Sequence, residues 1–335
     1  MGVSSSDSFD SQLLEGWQRA LPLVERPFLE IGNKIGLAEE DVIARLSRLQ
    51  ASGVVARVGG VVRPNTLGAS TLAAISVPDL DVDSKAAILC AEPGINHVYL
   101  RENDWNLWFV VTGPDRAYVN AAIAKVESQT GNRVLELRLE RPYHIDLGFP
   151  LSSEQVVRHD LVDMATADVS RRSLREGDRQ LVQELITGLP LVATPFREVA
   201  ERLGRAEGDV IARTGELCEA GVLPRIGVIV RHRALGWRSN AMVVWDVDPA
   251  DIDRAGAALA KCPSINLCYR RTRYKSEWPY NLYCMIHAKS RDAALRALVE
   301  ASTAAGLDDV PRQILFSLRC FKQTGALVAA SKEAA

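Results

Sequence analysis

The sequence predicts an α+β protein made of two similar halves, and three observations carry this prediction. Residues 21–28 (LPLVERPF) return as residues 189–196 (LPLVATPF), 168 positions later, and the letters DVIAR at 41–45 return at 209–213. Each half opens with helical periodicity and continues with alternating strand-like and helical segments. Self-similarity at a fixed spacing over about a hundred positions indicates duplication rather than chance. We therefore expect an internal pair of like halves related by a pseudo-two-fold axis.

Three short helices are predicted at the start of each half. In the first half an amphipathic helix covers residues 10–21, a second covers 27–36 with proline in its first turn, and a third runs from Glu39 to Gly53. Gly53 follows the last periodic residue, as glycine commonly does after a helix end. This order and spacing are typical of a helix-turn-helix.

The segment after the third helix, VVARVGGVVRP, alternates between apolar and other residues. Gly59 and Gly60 stand at its centre, which predicts a tight turn between two strands. A strand pair in this place is the wing of a winged helix-turn-helix. The sequence thus predicts winged helix-turn-helix domains over residues 10–69 and, from the repeat, over residues 178–238.

The next region of each half changes to a strand-rich pattern. In the first half, strand-like segments occur at 71–77, 96–101, 105–112 and 133–141, and helical segments occur at 84–90 and 116–128. The order βαββαβ is that of a ferredoxin-like domain. We predict such domains over residues 70–149 and 239–325 and expect their sheets to pair. The polar and charged residues 150–177 are predicted to form a linker.

Composition is ordinary for a globular protein with a sizeable core. Of 335 residues 47% are hydrophobic and 24% charged, and the net charge of −2 gives no support for nucleic-acid binding. The six cysteines form no CxxC pair, which favours reduced thiols over disulfides or a zinc site. No run of about 18 apolar residues and no apolar N-terminal segment is present, so we expect a cytoplasmic protein without a membrane partner.

The third helix of each half bears on whether the helix-turn-helix binds DNA. It starts with Glu39, Glu40 and Asp41 in the first half, and residues 206–220 of the second half contain four acids and one arginine. A DNA-reading helix needs cations near the phosphates. We therefore expect a scaffold without a nucleic-acid partner. The alternative is a transcriptional regulator whose sheet domain senses a ligand.

The most informative segment is residues 265–287, INLCYRRTRYKSEWPYNLYCMIH. Alternation predicts a strand to about Arg271, a loop through Pro279 and a second strand from Tyr280. An echo occurs at residues 95–111, INHVYLRENDWNLWFVV, without the KSEWP insertion. The corresponding positions are Tyr99 and Tyr269, Arg101 and Arg271, Asn106 and Asn281, and Trp108 and Tyr283.

Cations recur at three places in each half. They are Arg63 and Arg231 on the outgoing wing strand, Arg101 and Arg271 on the second sheet strand, and Arg141 and Arg319 at the end of the last strand, with Arg270, Arg273 and Lys275 added in the second half. Arginines bind carboxylates in bidentate fashion, and aromatic rings supply apolar walls. We expect these cations to converge on one flat, acidic ligand between wing and sheet. Separate, solvated ion pairs with nearby glutamates are the alternative.

Histidine is suited to proton transfer near neutral pH, and the chain has five. His97 stands two residues before Tyr99 on a strand, so both share one face, and Leu267 takes its place in the second half. His144 is expected just after the last strand, and its counterpart is Lys322. The others are His159 in the linker, His232 and His287. At each position a satisfied hydrogen-bonding histidine is the alternative.

Four segments together carry a family resemblance: HVYLRENDWNLWF, RPYHIDLGF, CYRRTRYKSEWPYNLYCMIH and LFSLRCF. They resemble siroheme decarboxylases, in the form where two homologous subunits are fused in one chain. That family is similar in fold to the leucine-responsive Lrp/AsnC regulators, which join a winged helix to a ferredoxin-like domain. The resemblance covers nearly the whole chain outside the first few residues, the linker and the tail.

The resemblance implies a carboxy-lyase that removes the two acetate carboxylates of siroheme, at C12 and C18, as CO2. The product would be 12,18-didecarboxysiroheme, for heme d1 or alternative heme synthesis. It implies no redox cofactor and no protein-bound metal, since iron enters only within the siroheme substrate. The expected partners are siroheme and its decarboxylated product. An assembly beyond the internal pair stays open, as does a heme carrier without turnover.

The site hypothesis assigns roles to the repeated residues. His97 and His144 are expected to donate or position protons, with Tyr99 assisting. The residues expected to bind the substrate are Arg63, Arg101, Trp108, Arg141, Arg231, Tyr269, Arg270, Arg271, Arg273, Trp278, Tyr283, His287, Arg319 and Lys322. A pocket of aromatic rings and guanidinium groups is the physical complement of a flat tetrapyrrole with many carboxylates.

Overall fold

A computed structural model describes residues 8–145 and 174–329, apart from the side chain of His232. The predicted linker falls outside these residues except at its last four positions, and His159 falls outside them entirely. The described residues form two units: a helix-turn-helix unit of residues 8–67 and 174–235, and a sheet unit of residues 68–145 and 236–329. Each unit therefore contains a segment from each half of the repeat.

The described helices are α1 (Ser8–Gly16), α2 (Pro27–Ile35), α3 (Glu39–Ala51), α4 (Val82–Ala91), α5 (Arg116–Thr130), α6 (Asp178–Thr187), α7 (Pro195–Leu203), α8 (Glu207–Glu219), α9 (Ile252–Leu259) and α10 (Arg291–Ala305). The described strands are β1 (Val55–Val61), β2 (Ala69–Ile75), β3 (Ile95–Arg101), β4 (Leu107–Gly113), β5 (Leu135–Leu137), β6 (Leu139–Ile145), β7 (Arg225–Val230), β8 (Ser239–Trp245), β9 (Ile265–Arg271), β10 (Leu282–Ala288) and β11 (Arg312–Gln323).

The predicted helix-turn-helix is confirmed in both halves. In the first half α2 has Pro27 in its first turn and is followed by Gly36 at φ 76°, while α3 begins at Glu39 and gives way to Gly53 at φ 77°. Positive φ values favour glycine, which explains why both helices end at these positions.

The first helix ends at Gly16, earlier than predicted. The segment after it hydrogen-bonds to β7 of the second half. Val228 N donates to Trp17 O at 2.8 Å, and Leu21 N donates to Ile226 O at 3.1 Å. Backbone pairing with the other half therefore replaces the last turn of the predicted helix.

The predicted wing hairpin is wrong. β1 runs through Gly59 and Gly60 without a turn and pairs antiparallel with β7, where Gly59 lies opposite Gly227. The glycines permit close approach instead: a Cβ on Gly59 would lie 2.3 Å from Leu185 O, and one on Gly227 would lie 2.3 Å from Trp17 O. The two helix-turn-helix domains thus share a two-stranded sheet.

A buried ion pair fixes α6 to α8 in the second half. Asp178 accepts from Arg213 Nη2 at 2.6 Å and from Arg213 Nε at 2.9 Å, and both side chains are almost fully buried. Burial opposes ionisation of Asp178, but hydrogen bonds from Arg213 and from the backbone N–H of Arg175 outweigh it and lower the pKa of the carboxyl. The carboxylate is therefore favoured in the folded state.

Replacing Asp178 with asparagine is expected to reduce the free energy of unfolding at pH 7 by about 1.5–3 kcal/mol, since hydrogen bonds to a charged group are lost. Because the pKa of Asp178 is lower in the folded than in the unfolded state, the stability it adds is present above its ordinary value of 3.8 and disappears as the pH falls through the lowered value. Urea unfolding of both proteins at several pH values measures this difference. D10N is the matched control, because Asp10 pairs with two separate arginines, one of them largely exposed. The free energy of unfolding should therefore fall less in D10N than in D178N. An equal effect of D178N at pH 7 and pH 3 would contradict the assignment.

The sheet unit contains, among its described residues, one nine-stranded sheet in the order β5-β2-β4-β3-β11-β8-β10-β9-β6. The predicted βαββαβ order is present in both halves, and the predicted pairing of the two sheets is confirmed. The pairing is an exchange of strands. β11 pairs first with β8 and then with β3 of the first half, while β6 pairs with β9 of the second half. Each half therefore completes the sheet of the other.

The strand predicted to end at Arg141 continues to Ile145 as β6, including Pro142. β6 is an edge strand, where proline is tolerated. A register shift lies between Leu139 and Arg141 in β6, and a similar shift lies between Ser317 and Arg319 in β11. Such bulges redirect the side chains that follow them, so alternation counted from the start of the strand fails here.

Two cores of the sheet unit lie between sheet and helices, one in each half. A third core draws on both halves and contains Ala74, Trp108, Leu135, Leu137, Met242, Val244, Trp278, Tyr283 and Leu315. Neighbouring residues of the same strands, such as Phe109 and Cys284, belong to the helix-side cores. The third core therefore marks the opposite face of the sheet, called the inner face below.

None of the described helices has both the length and the apolar character that a bilayer crossing demands.

Candidate active site

The Tyr-x-Arg pairs of both halves belong to the inner face. Alternation along β3 places Tyr99 and Arg101 opposite the helix-side core. Arg101 Nη1 donates to Leu315 O of the second half at 3.1 Å, and Arg271 Nη1 donates to Leu137 O of the first half at 3.0 Å. Each guanidinium thus reaches a strand contributed by the other half, as the predicted pseudo-two-fold symmetry requires.

Arg271 is enclosed by aromatic rings. Its guanidinium carbon lies 5.1 Å from the centre of the Tyr269 ring and 5.8 Å from that of the Tyr283 ring, within cation–π range. Burial lowers the pKa of Arg271, so the cation is less well stabilised here than in water. Among the residues that the structure describes, no carboxylate forms an ion pair with Arg271, and its side chain keeps some accessible surface. These features suit a receptor for an anionic group.

Burial also keeps the tyrosines around Arg271 protonated. It raises the pKa of Tyr269 to about 12, and it raises the pKa of Tyr283 as well. Tyr283 Oη accepts a hydrogen bond from Trp278 Nε1 at 2.6 Å. The rings therefore stay neutral at physiological pH and add no negative charge to neutralise the guanidinium.

The KSEWP insertion of the second half contributes Trp278 to the shared core. Its ring centre lies 5.2 Å from that of Trp108 in the first half and 5.0 Å from that of Tyr280. Trp108, Trp278 and Tyr283 are each at most 2% exposed. Core packing accounts for their burial, so direct contact of these three with a ligand stays a prediction.

Arg101 is tied to the second half by a row of polar side chains. Arg101 Nη1 donates to Asn240 Oδ1 at 3.3 Å, Asn240 Nδ2 lies 2.8 Å from His287 Nε2, and His287 Nδ1 lies 3.0 Å from Asn266 Oδ1. All four side chains are buried. His287, predicted to bind the substrate, therefore directs both ring nitrogens to asparagines.

His97 continues the Tyr-x-Arg row along β3. The centre of its ring lies 6.2 Å from that of the Tyr99 ring, at an interplanar angle of 25°. The guanidinium carbon of Arg101 lies 5.4 Å from the centre of the same Tyr99 ring. His97 and Tyr99 are half-buried, whereas Arg101 is buried. An imidazole, a phenol and a guanidinium are thus aligned on one face of one strand. The prediction that His97 and Tyr99 share a face is confirmed.

Four predicted arginines lie in ion pairs instead. Arg141 pairs with Asp253 at 2.9 Å, Arg319 with Asp83 at 2.5 Å, Arg270 with Glu140 at 2.7 Å, and Arg273 with Asp246. Asp83 and Asp253 belong to α4 and α9, on the helix side of the sheet. The expected convergence of cations does not extend to these four, and the alternative of separate ion pairs describes them. Their part in substrate binding stays a prediction.

Lys322 also turns to the helix side. Its Nζ donates to Cys90 O at 2.9 Å and to Glu92 O at 3.1 Å, at the end of α4. His144 has the equivalent position on β6, in register with Cys268, which is buried in the helix-side core. Two register shifts precede each of these positions and cancel, so both residues keep the helix-side face that uninterrupted alternation along the strand would also give.

Arg63 and Arg231 belong to the helix-turn-helix unit. Their backbone N–H groups make equivalent bonds, from Arg63 to Val222 O and from Arg231 to Val54 O, both at 2.9 Å. The Arg63 side chain is buried and burial lowers its pKa, whereas Arg231 is exposed. Both continue the strands that replace the predicted wing, and their contact with a ligand stays a prediction.

Asparagines are the residues that sequence reasoning missed. The repeat predicts Asn106 and Asn281 only as corresponding positions, and each accepts from the backbone N–H and donates to the backbone C=O of one residue, Val77 or Val247. They are structural clamps. Asn240 gave no signal at all, because its position in the first half is occupied by serine and only the fold brings it to Arg101.

Comparisons with known proteins agree with this architecture. The family model described as "AsnC-like ligand binding domain" matches residues 66–144 and 234–322, and the model described as "Siroheme decarboxylase NirDL-like HTH domain" matches residues 10–55 and 178–223. Both models therefore match twice, once in each half.

A curated relative, the siroheme decarboxylase NirDL subunit of Paracoccus denitrificans (strain Pd 1222), is 49% identical over 323 residues, covering 96% of this chain and 98% of its own. A crystal structure of the siroheme decarboxylase NirDL matches with a TM-score of 0.65 at 26% identity, covering 95% of this chain and 93% of that one. A second crystal structure, of NirDL in co-complex with an iron-uroporphyrin III analogue, also has a TM-score of 0.65 at 26% identity, with coverages of 96% and 94%.

Proposed function

The chain belongs to the siroheme decarboxylase family, and we propose that it removes the acetate carboxylates of siroheme at C12 and C18 as CO2, giving 12,18-didecarboxysiroheme. The observation that carries the proposal is the pair of inner-face guanidiniums, Arg101 and Arg271, each set over a tyrosine ring. A planar tetrapyrrole with acidic arms presents apolar surface to the rings and carboxylates to the guanidiniums.

The reaction breaks the bond between the carboxylate and the methylene carbon of an acetate arm. CO2 leaves, the electron pair stays on the arm carbon, and the conjugated ring system delocalises it, so no redox partner is needed. The protein has to orient the arm, shield its carboxylate from water and supply one proton to the arm carbon. The product then carries a methyl group in place of each acetate.

The row on β3 fits these tasks. Arg101 would hold a carboxylate, and His97 would deliver the proton, with Tyr99 between them as a neutral ring that aligns both groups. In the second half Leu267 stands where His97 stands in the first, so that half can bind an acidic arm but offers no imidazole at this position. We therefore expect proton delivery from the first half, with His144 as the second candidate.

Anaerobic incubation with siroheme, followed by mass spectrometry, tests the proposal. The expected result is the successive loss of two CO2 molecules per siroheme, absent when the protein is omitted. Siroheme recovered unchanged in the presence of bound protein would instead support the alternative of a heme carrier.

The regulator alternative predicts salt-sensitive binding to duplex DNA. The helices that would read DNA, α3 and α8, argue against DNA binding. Each begins with a glutamate that pairs with a nearby arginine, Glu39 with Arg26 and Glu207 with Arg197. Those arginines are therefore already engaged by carboxylates. In a gel-shift assay at low salt with random and genomic duplexes, we expect no retained complex. A retained duplex that dissociates as salt rises would contradict this expectation.

A further inference from the structure

The buried row from Arg101 to Asn266 has one consistent hydrogen-bonding direction. A guanidinium can only donate, so Arg101 requires the oxygen of Asn240 rather than its nitrogen. Ser317 Oγ donates to the same oxygen at 3.4 Å. The amide nitrogen of Asn240 then faces His287 Nε2 and donates to it, which leaves the His287 proton on Nδ1, where Asn266 Oδ1 accepts it.

His287 holds the Asn240 amide in this direction from the side opposite Arg101. A neutral imidazole has one donor and one acceptor nitrogen, and here each faces the complementary atom of an asparagine. If the ring were lost, the Asn240 amide nitrogen would lose this acceptor, and the amide would be held less firmly in the orientation that presents its oxygen to Arg101. The ring therefore acts at a distance on the guanidinium through one intervening side chain.

The two halves differ at these positions. Strand pairing places Ser70 where the second half has Asn240, and Thr112 where it has His287. Thr112 is used elsewhere, since its hydroxyl accepts from Leu327 N at 2.9 Å. Arg271 accordingly rests on Leu137 O and two aromatic rings, without an amide brace. Only the first half, among the described residues, has a guanidinium aimed by a histidine–asparagine pair.

We propose that His287 is a positioning residue for decarboxylation: through Asn240 it holds the Arg101 guanidinium in the orientation that receives a substrate carboxylate. This inference rests on the proposed function and deepens it. A residue that fixes the orientation of a guanidinium before the substrate binds reduces the conformational freedom that the guanidinium loses when it binds the carboxylate. The first-half site is thus the rigid one, and the second-half site around Arg271 is the more adaptable.

The test compares H287F, which keeps a ring without polar atoms, with H287Q, whose amide can accept from Asn240 and donate to Asn266. For siroheme decarboxylation we expect kcat/KM to fall about tenfold in H287F, as for one lost buried hydrogen bond to a neutral group, and to return to within about threefold of wild type in H287Q. T112V is the matched control at the equivalent place in the first half, and its kcat/KM should be unchanged. The kcat/KM of the double variant H287F/N240S should be no lower than that of N240S alone, because both substitutions interrupt the same series of hydrogen bonds.

A wild-type kcat/KM in H287F, or an H287Q as defective as H287F, would overturn the proposal. Absorbance titration with iron-uroporphyrin III serves as a second readout that does not depend on turnover. Wild-type protein that binds this probe but leaves siroheme unchanged would refute the proposed function alone. In that case a weaker affinity of H287F, restored in H287Q, still supports the positioning role, and equal affinities refute it. If H287F does not fold, the affinities of H287Q and N240S for iron-uroporphyrin III are compared instead. A weaker affinity in N240S than in H287Q supports the positioning role, and equal affinities refute it.

Discussion

Replacing His97 with alanine is expected to slow CO2 release from siroheme by about 10²–10⁴-fold, the usual contribution of a positioned general acid. The loss should fall on kcat, because the Arg101 and Arg271 guanidiniums that we propose as carboxylate receptors remain in place. His97 is half-buried on the inner face and stacked on Tyr99, so its removal opens no cavity in a fully enclosed core. Single-turnover decarboxylation, followed by mass spectrometry, measures the rate, and an absorbance titration measures siroheme binding.

The second candidate histidine makes a matched comparison. His144 has the position whose counterpart, Lys322, is engaged at the end of α4, so we expect H144A to keep most of the activity. A tenfold weaker siroheme affinity in H97A with an unchanged rate of CO2 release would reassign His97 to binding. Full activity in both H97A and H144A would remove the assignment of the proton donor to histidine altogether.

Local pattern is sufficient to predict the helix-turn-helix segments and the βαββαβ order of the sheet domains. Pro27, Glu39 and the glycines at helix ends act through their own backbone, so their effect is readable from the sequence. Gly59 and Gly60 were misinterpreted for the opposite reason. Their effect depends on Leu185 O and a strand from the other half, neither of which lies near them in the chain.

The candidate site shows the same division. Tyr99 and Arg101 both follow the register shift between Ile95 and His97 in β3, so the alternation between them is regular and places them correctly on one face. Arg319 follows one register shift in β11, after Ser317, and a shift of one residue reverses the face. The repeat therefore predicts which side chains recur in both halves, but not which of them lie close together in the fold. Asn240, which hydrogen-bonds to Arg101, could not be predicted from the repeat, because the first half has serine at the corresponding position.

The broken symmetry also bears on why the chain keeps two halves that are no longer alike. The first half combines an imidazole on its own strand with a braced guanidinium, whereas the second half contributes the brace, the inserted tryptophan and an unbraced guanidinium. Each guanidinium depends on the other half, because Arg101 donates to Asn240 and Leu315 of the second half and Arg271 donates to Leu137 of the first. Because the strands are exchanged, neither half alone would contain a complete site.

Replacing Arg271 with methionine is expected to have opposite effects on binding and on stability. Siroheme affinity should fall about 30- to 5,000-fold, the range of about 2–5 kcal/mol found when one partner of a buried charge pair is removed. Without ligand, the thermal midpoint should rise. Burial lowers the pKa of Arg271, so the folded protein stabilises this cation less well than water does, and the two aromatic rings with Leu137 O do not fully offset the desolvation. Methionine keeps the apolar stem and removes the charge.

The neighbouring arginine supplies the control. Arg270 is partly exposed and already paired with Glu140 at 2.7 Å, so R270M should change both siroheme affinity and the midpoint only slightly. Scanning calorimetry with and without siroheme, together with an absorbance titration, measures both quantities on the same samples. A lower midpoint in R271M would mean that its surroundings compensate the cation without a ligand. Equal siroheme affinities in R271M and wild type would mean that no carboxylate meets it. A gain in stability coupled to a loss of binding is the result expected of a partly buried cation whose anionic partner is the proposed substrate.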